Sequence, residues 1–421
     1  MRKDCGMSLS TLLHKRRRRI IGLMSGTSAD GLDLAAVDVR DSRGDVFFHV
    51  DAVETIPYPP AMRKIIHQLM DSETCTFETL VRLHYRWAEF AAEAVREFMR
   101  RKRIAFKAVA ALACHGQTIA HYPEQKRFLG GNSRGTFQIG DGAVLAQLTG
   151  IPTVGDFRWS DIAAGGSGAP LSGYYHHLML ARMEKQGTGR PPLAVLNIGG
   201  MANLSLSSGT ATHLSITAFD TGPGNCLSDT MMQMWGGQPF DHDGDLAARG
   251  TINDTILKKM LRHAYFHRCP PKSCGREEFG TRFIFRFYPR PARTRDQLAE
   301  RLATVDELVA CTIARAQKWL GKIGGVVVVG GGRHNRHLMR RIGHILSPIP
   351  LISCDYLGLP GDFIEAIGFA LLAHETLSGR PGNLGGATGG RPAILGKICL
   401  PEKPGPHPGM ASSRTAADNV R

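Results

Sequence analysis

No apolar run in the 421-residue chain approaches the roughly 18 residues that a membrane-crossing helix needs, so a helical span is excluded. The nine cysteines include no C-x-x-C pair, the spacing on which zinc sites are commonly built. Their odd number and scatter point to reduced thiols and a cytoplasmic setting rather than to a disulfide framework. Cys269 and Cys274 stand closest together, but no His or Cys at ligand spacing completes a metal set. Acidic residues are the scarcer charge, 37 against 52 basic, giving a net charge of +15. Much of that excess lies in Lys15 to Arg19, Arg282 to Arg295 and Lys397 to Arg421, and no helix-turn-helix, zinc-finger or RNA-recognition pattern accompanies it. The blocks read as solvated surface, with no nucleic-acid partner. The N-terminus lacks the apolar core and cleavage site of a secretory signal. Residues 1–18 and 401–421 are expected to be disordered tails.

The length allows two domains with full cores, and a content of 43% hydrophobic and 21% charged residues is ordinary for a water-facing enzyme. Ile20 to Met24 reads as a strand, Ser25 to Gly31 as a turn of small and hydroxyl residues, and Leu32 to Val39 as the returning strand. Such a tip aims backbone N–H groups and hydroxyls at one point, as a phosphate requires. Phe77 to Arg103 carries apolar residues at helical spacing. Lys107 to Cys114 is a buried strand ending in the polar run His115-Gly116-Gln117-Thr118. Leu193 to Ile198, a Gly-Gly turn and Leu204 to Ser208 repeat the first hairpin pattern about 170 residues later, which suggests a duplicated architecture with facing halves. Thr304 and Glu307 read as a capping box opening a helix to Leu320. Gly325 to Val329 is a buried strand delivered into Gly330-Gly331-Gly332, where a flat ring or phosphate could approach bare backbone.

Phosphate chemistry therefore comes without the usual signatures, since neither G-x-x-x-x-G-K-[ST] nor the protein-kinase set occurs. Gly165-Gly166-Ser167-Gly168-Ala169 ends on alanine where a nucleophile elbow needs glycine, which argues against a serine hydrolase. The candidate base is Asp220, where an apolar run from Leu214 to Phe219 breaks into Gly222-Pro223-Gly224 before a helix near Asn225. A carboxylate at a strand end beside bare backbone suits proton abstraction next to an anionic substrate. An aspartate there also caps helices and pins turns, and that alternative stays open.

Taken in order, Gly22-Leu23-Met24-Ser25-Gly26-Thr27-Ser28, His115 to Thr118, Gly155-Asp156-Phe157-Arg158, Gly168-Ala169-Pro170-Leu171, Leu196 to Gly200, Phe219 to Asn225, Lys272 to Glu277 and Gly330 to Gly332 resemble the anhydro-N-acetylmuramic acid kinases. These belong to the sugar kinase, heat-shock ATPase and actin superfamily. The resemblance covers roughly residues 20–400. It implies a two-lobed actin-like (ribonuclease H-like) α/β fold with ATP and Mg²⁺ in the interdomain cleft, in a cytoplasmic homodimer acting in cell-wall recycling. The lobes would span 19–157 and 158–382, with 383–400 returning to the first. Carried over by motif, the ATP site falls on Gly26, Thr27, Ser28, Ala29, Asp30, Gly31, Leu32 and Asp33, on Asn197, Gly199, Gly200 and Asn203, and on Gly330, Gly331 and Gly332. The base falls on Asp220 and sugar contacts on Thr118, Arg158 and Glu365, though Arg158 could equally pair with Asp156 or Asp161. No metal ligand is assigned. Trp159, Ser160, Ser167 and Ser172-Gly173 depart from the family pattern beside the expected sugar pocket. A kinase of another amino sugar, and an ATP-driven switch of the actin type, are the competing readings.

Overall fold

The computed structural model describes residues 9–26, 29–42, 45–70, 75–185, 187, 191–210, 213–354, 358–383 and 385–402. Thr27 and Ser28 of the first turn, and the tail beyond residue 402, lie outside the described residues. The chain opens with α1 (Leu9–His14) and three strands, β1 (Arg17–Ser25), β2 (Gly31–Ser42) and β3 (Asp45–Pro57). Then come α2 (Pro60–Met70), α3 (Phe77–Arg101), β4 (Val109–Phe128), β5 (Gly131–Ile139), α4 (Gly142–Thr149), β6 (Thr153–Gly155), α5 (Phe157–Ala163) and α6 (Ser172–Lys185). The second half starts again with three strands, β7 (Leu193–Ile198), β8 (Met201–Thr210) and β9 (His213–Pro223). It continues through α7 (Cys226–Met231), α8 (Asp254–Met260), α9 (Thr281–Phe287), α10 (Arg295–Gln317), β10 (Gly325–Val329), α11 (Arg336–Leu346) and β11 (Leu351–Ser353). The chain then closes with α12 (Ile364–Leu377), α13 (Gly385–Thr388) and β12 (Lys397–Cys399).

Two sheets result, and they share one plan. In the first, β1 pairs antiparallel with β2 and parallel with β4, β2 pairs with β3, and β4 runs parallel to β6. In the second, β7 pairs antiparallel with β8 and parallel with β10, β8 pairs with β9, and β10 runs parallel to β11. The duplication read from the two hairpins is thus a duplication of whole sheets. The first sheet adds β5 beside β4 and β12 on the far edge of β6.

The long helix α12 is buried along almost its whole length, because it lies between the two halves: it packs on β1, β2 and β4 and also on α6. One continuous apolar core therefore contains Ile20, Val37 and Ala113 from the first sheet, Val195 and Val327 from the second, and Phe369 and Leu372 from α12. The chain has already crossed back to the first sheet by residue 364, well before the boundary expected at 382.

Three expectations are corrected by the structure. Residues 9–18 are ordered: Arg18 is 1% exposed and donates to the carbonyls of Leu12, Leu13 and Leu377, to Ser378 Oγ and to His374 Nδ1. All five of its N–H donors have acceptors, which is how a buried guanidinium is tolerated. The helix around Thr304 begins a turn and more earlier, where Thr294 accepts from Gln297 N at 3.2 Å. Thr304 is inside the helix and buried, its hydroxyl joining Glu300 O to Asn253 N. Finally, His115 to Thr118 do not end a strand, since β4 continues to Phe128. It bends at Gly116, whose φ is +78° and whose missing Cβ would lie 2.4 Å from Ile139 O.

Candidate active site

Each glycine tip is braced by polar residues from another segment. Ser25 Oγ donates to Gln117 Oε1 at 2.5 Å and lies 2.9 Å from Gly31 O, sharing its one proton between them, while Gln117 Nε2 donates to Gly26 O at 3.2 Å. Ala29 sits in the left-handed region at φ +48°, a strained conformation of the kind that clusters at ligand sites. The second tip is held by the segment after β9: Gly224 N donates to Gly200 O and Asn225 N to Gly199 O, at 2.8 and 2.9 Å. A Cβ on Gly224 would lie 2.4 Å from Gly199 O, so bare backbone is required there. Of the three glycines after β10, Gly330 and Gly332 are dictated by the end of β7, where Asn197 Oδ1 and Ile198 Cγ2 stand 2.4 and 2.2 Å from their absent Cβ atoms. Gly331 faces open space and is the position a flat ligand could approach.

Asn197, Asn203 and Asp220 form a row across β7, β8 and β9, each the registered neighbour of the next. Asp220 is 8% exposed. Its Oδ2 accepts from Cys274 N at 3.0 Å, its carbonyl accepts from the Tyr265 hydroxyl at 2.8 Å, and its N–H donates to Lys272 O. Burial pushes the carboxyl up to about 7, against the pull of the Cys274 N–H and the nearby charges of Arg158 and Lys272. A carboxylate in that range is half ionised at neutral pH and is matched to proton abstraction. Asp220 does not cap α7; the residue at that cap is Asn225.

Arg158 comes from the first turn of α5 and Glu365 from the first turn of α12. Glu365 Oε1 accepts from Asn197 Nδ2 at 3.3 Å, joining α12 to the second tip. Burial raises the Glu365 carboxyl and Arg158 opposes it, while Arg158 in turn feels both Glu365 and Asp220. Arg158 forms neither of the two ion pairs left open by the sequence. Asp156 pairs with Lys397 at 3.0 Å, and Asp161 holds Asn383, Thr388 and Gly168 N. Thr118 accepts from Gln138 Nε2 at 3.4 Å, on the face of β4 and β5 that also carries His121 and Thr136. Asp33 is pushed up to about 7 by burial and by the charges of Asp30, Glu365 and Asp362. Asp229 on α7 is pushed up to about 7 by burial, with Asp30 of the first tip adding to the effect. The first tip thus faces the second half of the chain. Asp30 is exposed and Gly31 and Leu32 are buried at the start of β2, where a Cβ on Gly31 would meet Ile56 O at 2.7 Å.

Tyr265, which no sequence signal singled out, joins the Cys274 N–H in holding Asp220. Asn203 Oδ1 of the second tip, and Ser273 Oγ and Arg276 Nε of the Lys272 to Glu277 motif, are buried without a partner. Lys272 to Glu277 was recognisable as a motif, but nothing in its spacing told that its backbone clasps the acid.

Two like-built α/β halves, each carrying a glycine-tipped hairpin, with a buried carboxyl raised to about 7 beside the second tip, define the actin-like class of duplicated α/β folds. Within that class the chain belongs to the anhydro-N-acetylmuramic acid kinase family, whose model matches residues 18–401. It is 35% identical over 399 residues to the anhydro-N-acetylmuramic acid kinase of Caldanaerobacter subterraneus subsp. tengcongensis, covering 93% of this chain and 99% of that one. The kinase of the same name from Salinibacter ruber is 36% identical over 396 residues, covering 92% and 98%. That of Gloeobacter violaceus is 36% identical over 388 residues, covering 90% and 97%.

Proposed function

We propose that the protein uses ATP to convert 1,6-anhydro-N-acetylmuramic acid and water into N-acetylmuramic acid 6-phosphate and ADP, as a step of cell-wall recycling in the cytoplasm. The observation that carries the reading is Asp220, a buried carboxyl held by the Cys274 N–H and pushed up to about 7 within the charge field of Arg158. Opening the anhydro ring requires a water oxygen to bond to C1 as the C1–O6 bond breaks. Water is a weak nucleophile, so a fixed base must take its proton, and Asp220 has the setting for that role. The released O6 bonds to the γ-phosphorus as the bond to ADP breaks. That transfer needs alignment and charge neutralisation, for which the two tips supply backbone N–H groups. Arg158 would orient the acidic sugar, with Thr118 at its polar wall and Glu365 accepting from its amide or hydroxyls.

The donor set also suits Mg²⁺. No trio of His, Cys, Asp or Glu among the described residues converges on a metal site. Mg²⁺ binds through one or two carboxylates plus phosphate oxygens, so a single protein carboxylate is enough of a protein contribution. Asp33 would hold it: burial raises its carboxyl most, and the added repulsion from Asp30, Glu365 and Asp362 is what a divalent cation relieves. When bound, it supplies charge neutralisation for the phosphoryl oxygens.

A homodimer is part of the same proposal, and Phe77, Val81 and Tyr85 on one face of α3, exposed to 80%, 52% and 47%, are consistent with it. Sedimentation at micromolar concentration tests it. Trp159, 40% exposed beside Arg158, keeps a kinase of another amino sugar as the second reading. Incubation with ATP, Mg²⁺ and the anhydro sugar in ¹⁸O water separates the two readings. Label at C1 of the 6-phosphate supports the proposal, unlabelled product removes the water-attack mechanism, and turnover of a different sugar alone favours the second reading.

A further inference from the structure

The Arg158 guanidinium is held by two acceptors, and neither is a carboxylate. Nε donates to His115 Nε2 at 2.9 Å and Nη1 to the Gly168 carbonyl at 3.0 Å. His115 in turn donates from Nδ1 to Gly116 O at 2.9 Å, which fixes the tautomer that leaves Nε2 free to accept. The imidazole is 4% exposed and packs against Phe369 with ring centroids 4.5 Å apart. Burial and the charge of Arg158 hold it neutral, well below the usual histidine range. A carboxylate in its place would orient the guanidinium too, but would also cancel its charge. A neutral acceptor orients without cancelling. Because the Nε edge is closed by His115, an incoming anion meets the end of the fork at the terminal nitrogens, a geometry that receives a carboxylate through two parallel bonds.

We propose that His115 is a positioning residue for Arg158: by accepting from Nε as a neutral ring, it turns the terminal nitrogens toward an anionic group of the substrate. In naming that group as the carboxylate of the acidic sugar, the inference rests on the function proposed above.

Two measurements test it. In protein labelled with ¹⁵N-histidine, His115 is expected at pH 7 as a neutral ring protonated on Nδ1, with an Nε2 signal that moves in the Arg158→Lys variant. A ring protonated on Nε2, or an Nε2 signal indifferent to Arg158, overturns the proposal whatever the substrate proves to be. In kinetics, His115→Phe keeps a ring against Phe369 but removes the acceptor, whereas His115→Gln keeps an acceptor. His115→Phe is expected to raise KM for 1,6-anhydro-N-acetylmuramic acid at least tenfold, with KM for ATP within twofold. His115→Gln is expected to recover most of the loss, and the effect should vanish on 1,6-anhydro-N-acetylglucosamine, which lacks the carboxylate. Equal damage from both variants, an equal rise in KM for ATP, or no change in either KM makes the histidine merely structural. If the wild-type protein ignores the acidic sugar while the NMR signature is present, the substrate assignment fails and the positioning role stands.

Discussion

Asp220 carries a folding cost as well as a proposed role. Its carboxyl at about 7 lies well above the ordinary 3.8, so the folded protein binds its proton more tightly than the unfolded chain does. The stability it contributes is present below the ordinary value and falls away as pH rises from about 4 to about 7. The difference corresponds to on the order of 2 to 4 kcal/mol at neutral pH. Asp220→Asn is therefore expected to raise Tm by several degrees while lowering turnover at least 1000-fold, within the roughly 10² to 10⁴ range of a lost general base. ATP binding should persist. Calorimetry and steady-state kinetics on the same preparation check both halves, and near-normal turnover would remove Asp220 as the base. Because the ionised form is the active one, kcat/KM for the sugar is expected to rise with pH, bend near 7 and level off above it. A profile that falls through that window would contradict a base at this position.

The elements that carry the site are fixed by close contacts that one added carbon would break. A Cβ on Gly22 would lie 1.9 Å from Ala366 O, on the first turns of α12 beside Glu365. Neither backbone has room to retreat, because β1 is the central strand of its sheet and α12 is buried on both sides. Gly22→Ala is expected to cost about 2 kcal/mol or more and to weaken nucleotide binding by shifting Glu365 against Asn197. Chemical denaturation and titration calorimetry read the two effects, and unchanged values for both would show that α12 tolerates displacement. The His115 to Thr118 segment shows how much one bent strand can do: His115 holds Arg158, Gln117 braces the first tip and Thr118 meets Gln138.

Across the whole molecule, the far end of α12 is tied to the first sheet by a polar cluster distant from the site. Arg18 joins α1 and β1 to the end of α12, and His374 passes the link to Asp41 at 3.2 Å, where Arg380 also binds. Removing residues 1–18, or making Arg18→Ala, strands several buried acceptors, and a loss of about 3 kcal/mol or more is expected. Denaturant unfolding measures it. The cleft residues are untouched by that change, so KM for ATP should hold at temperatures where the variant stays folded. A variant as stable as the parent would show that the basic segment is dispensable after all.

Local pattern determined a good deal of this protein. Apolar runs broken by glycine gave both hairpins, helical spacing gave α3, and the repeat of one hairpin motif announced two like-built halves, because each signal depends on residues that are near neighbours along the chain. The true start of α10 is equally written in Thr294 and Gln297, but Thr304 and Glu307 fit the same capping pattern, and only burial distinguishes a cap from a hydroxyl bridging two segments. What tertiary structure alone decided is partnership over distance. That Arg158 leans on His115 rather than on Asp156, that Cys274 clasps Asp220, and that α12 belongs with the first sheet all depend on atoms tens to hundreds of residues apart. Such contacts are selected by packing and by the cost of leaving buried polar groups unpaired, neither of which is encoded in any short stretch of sequence.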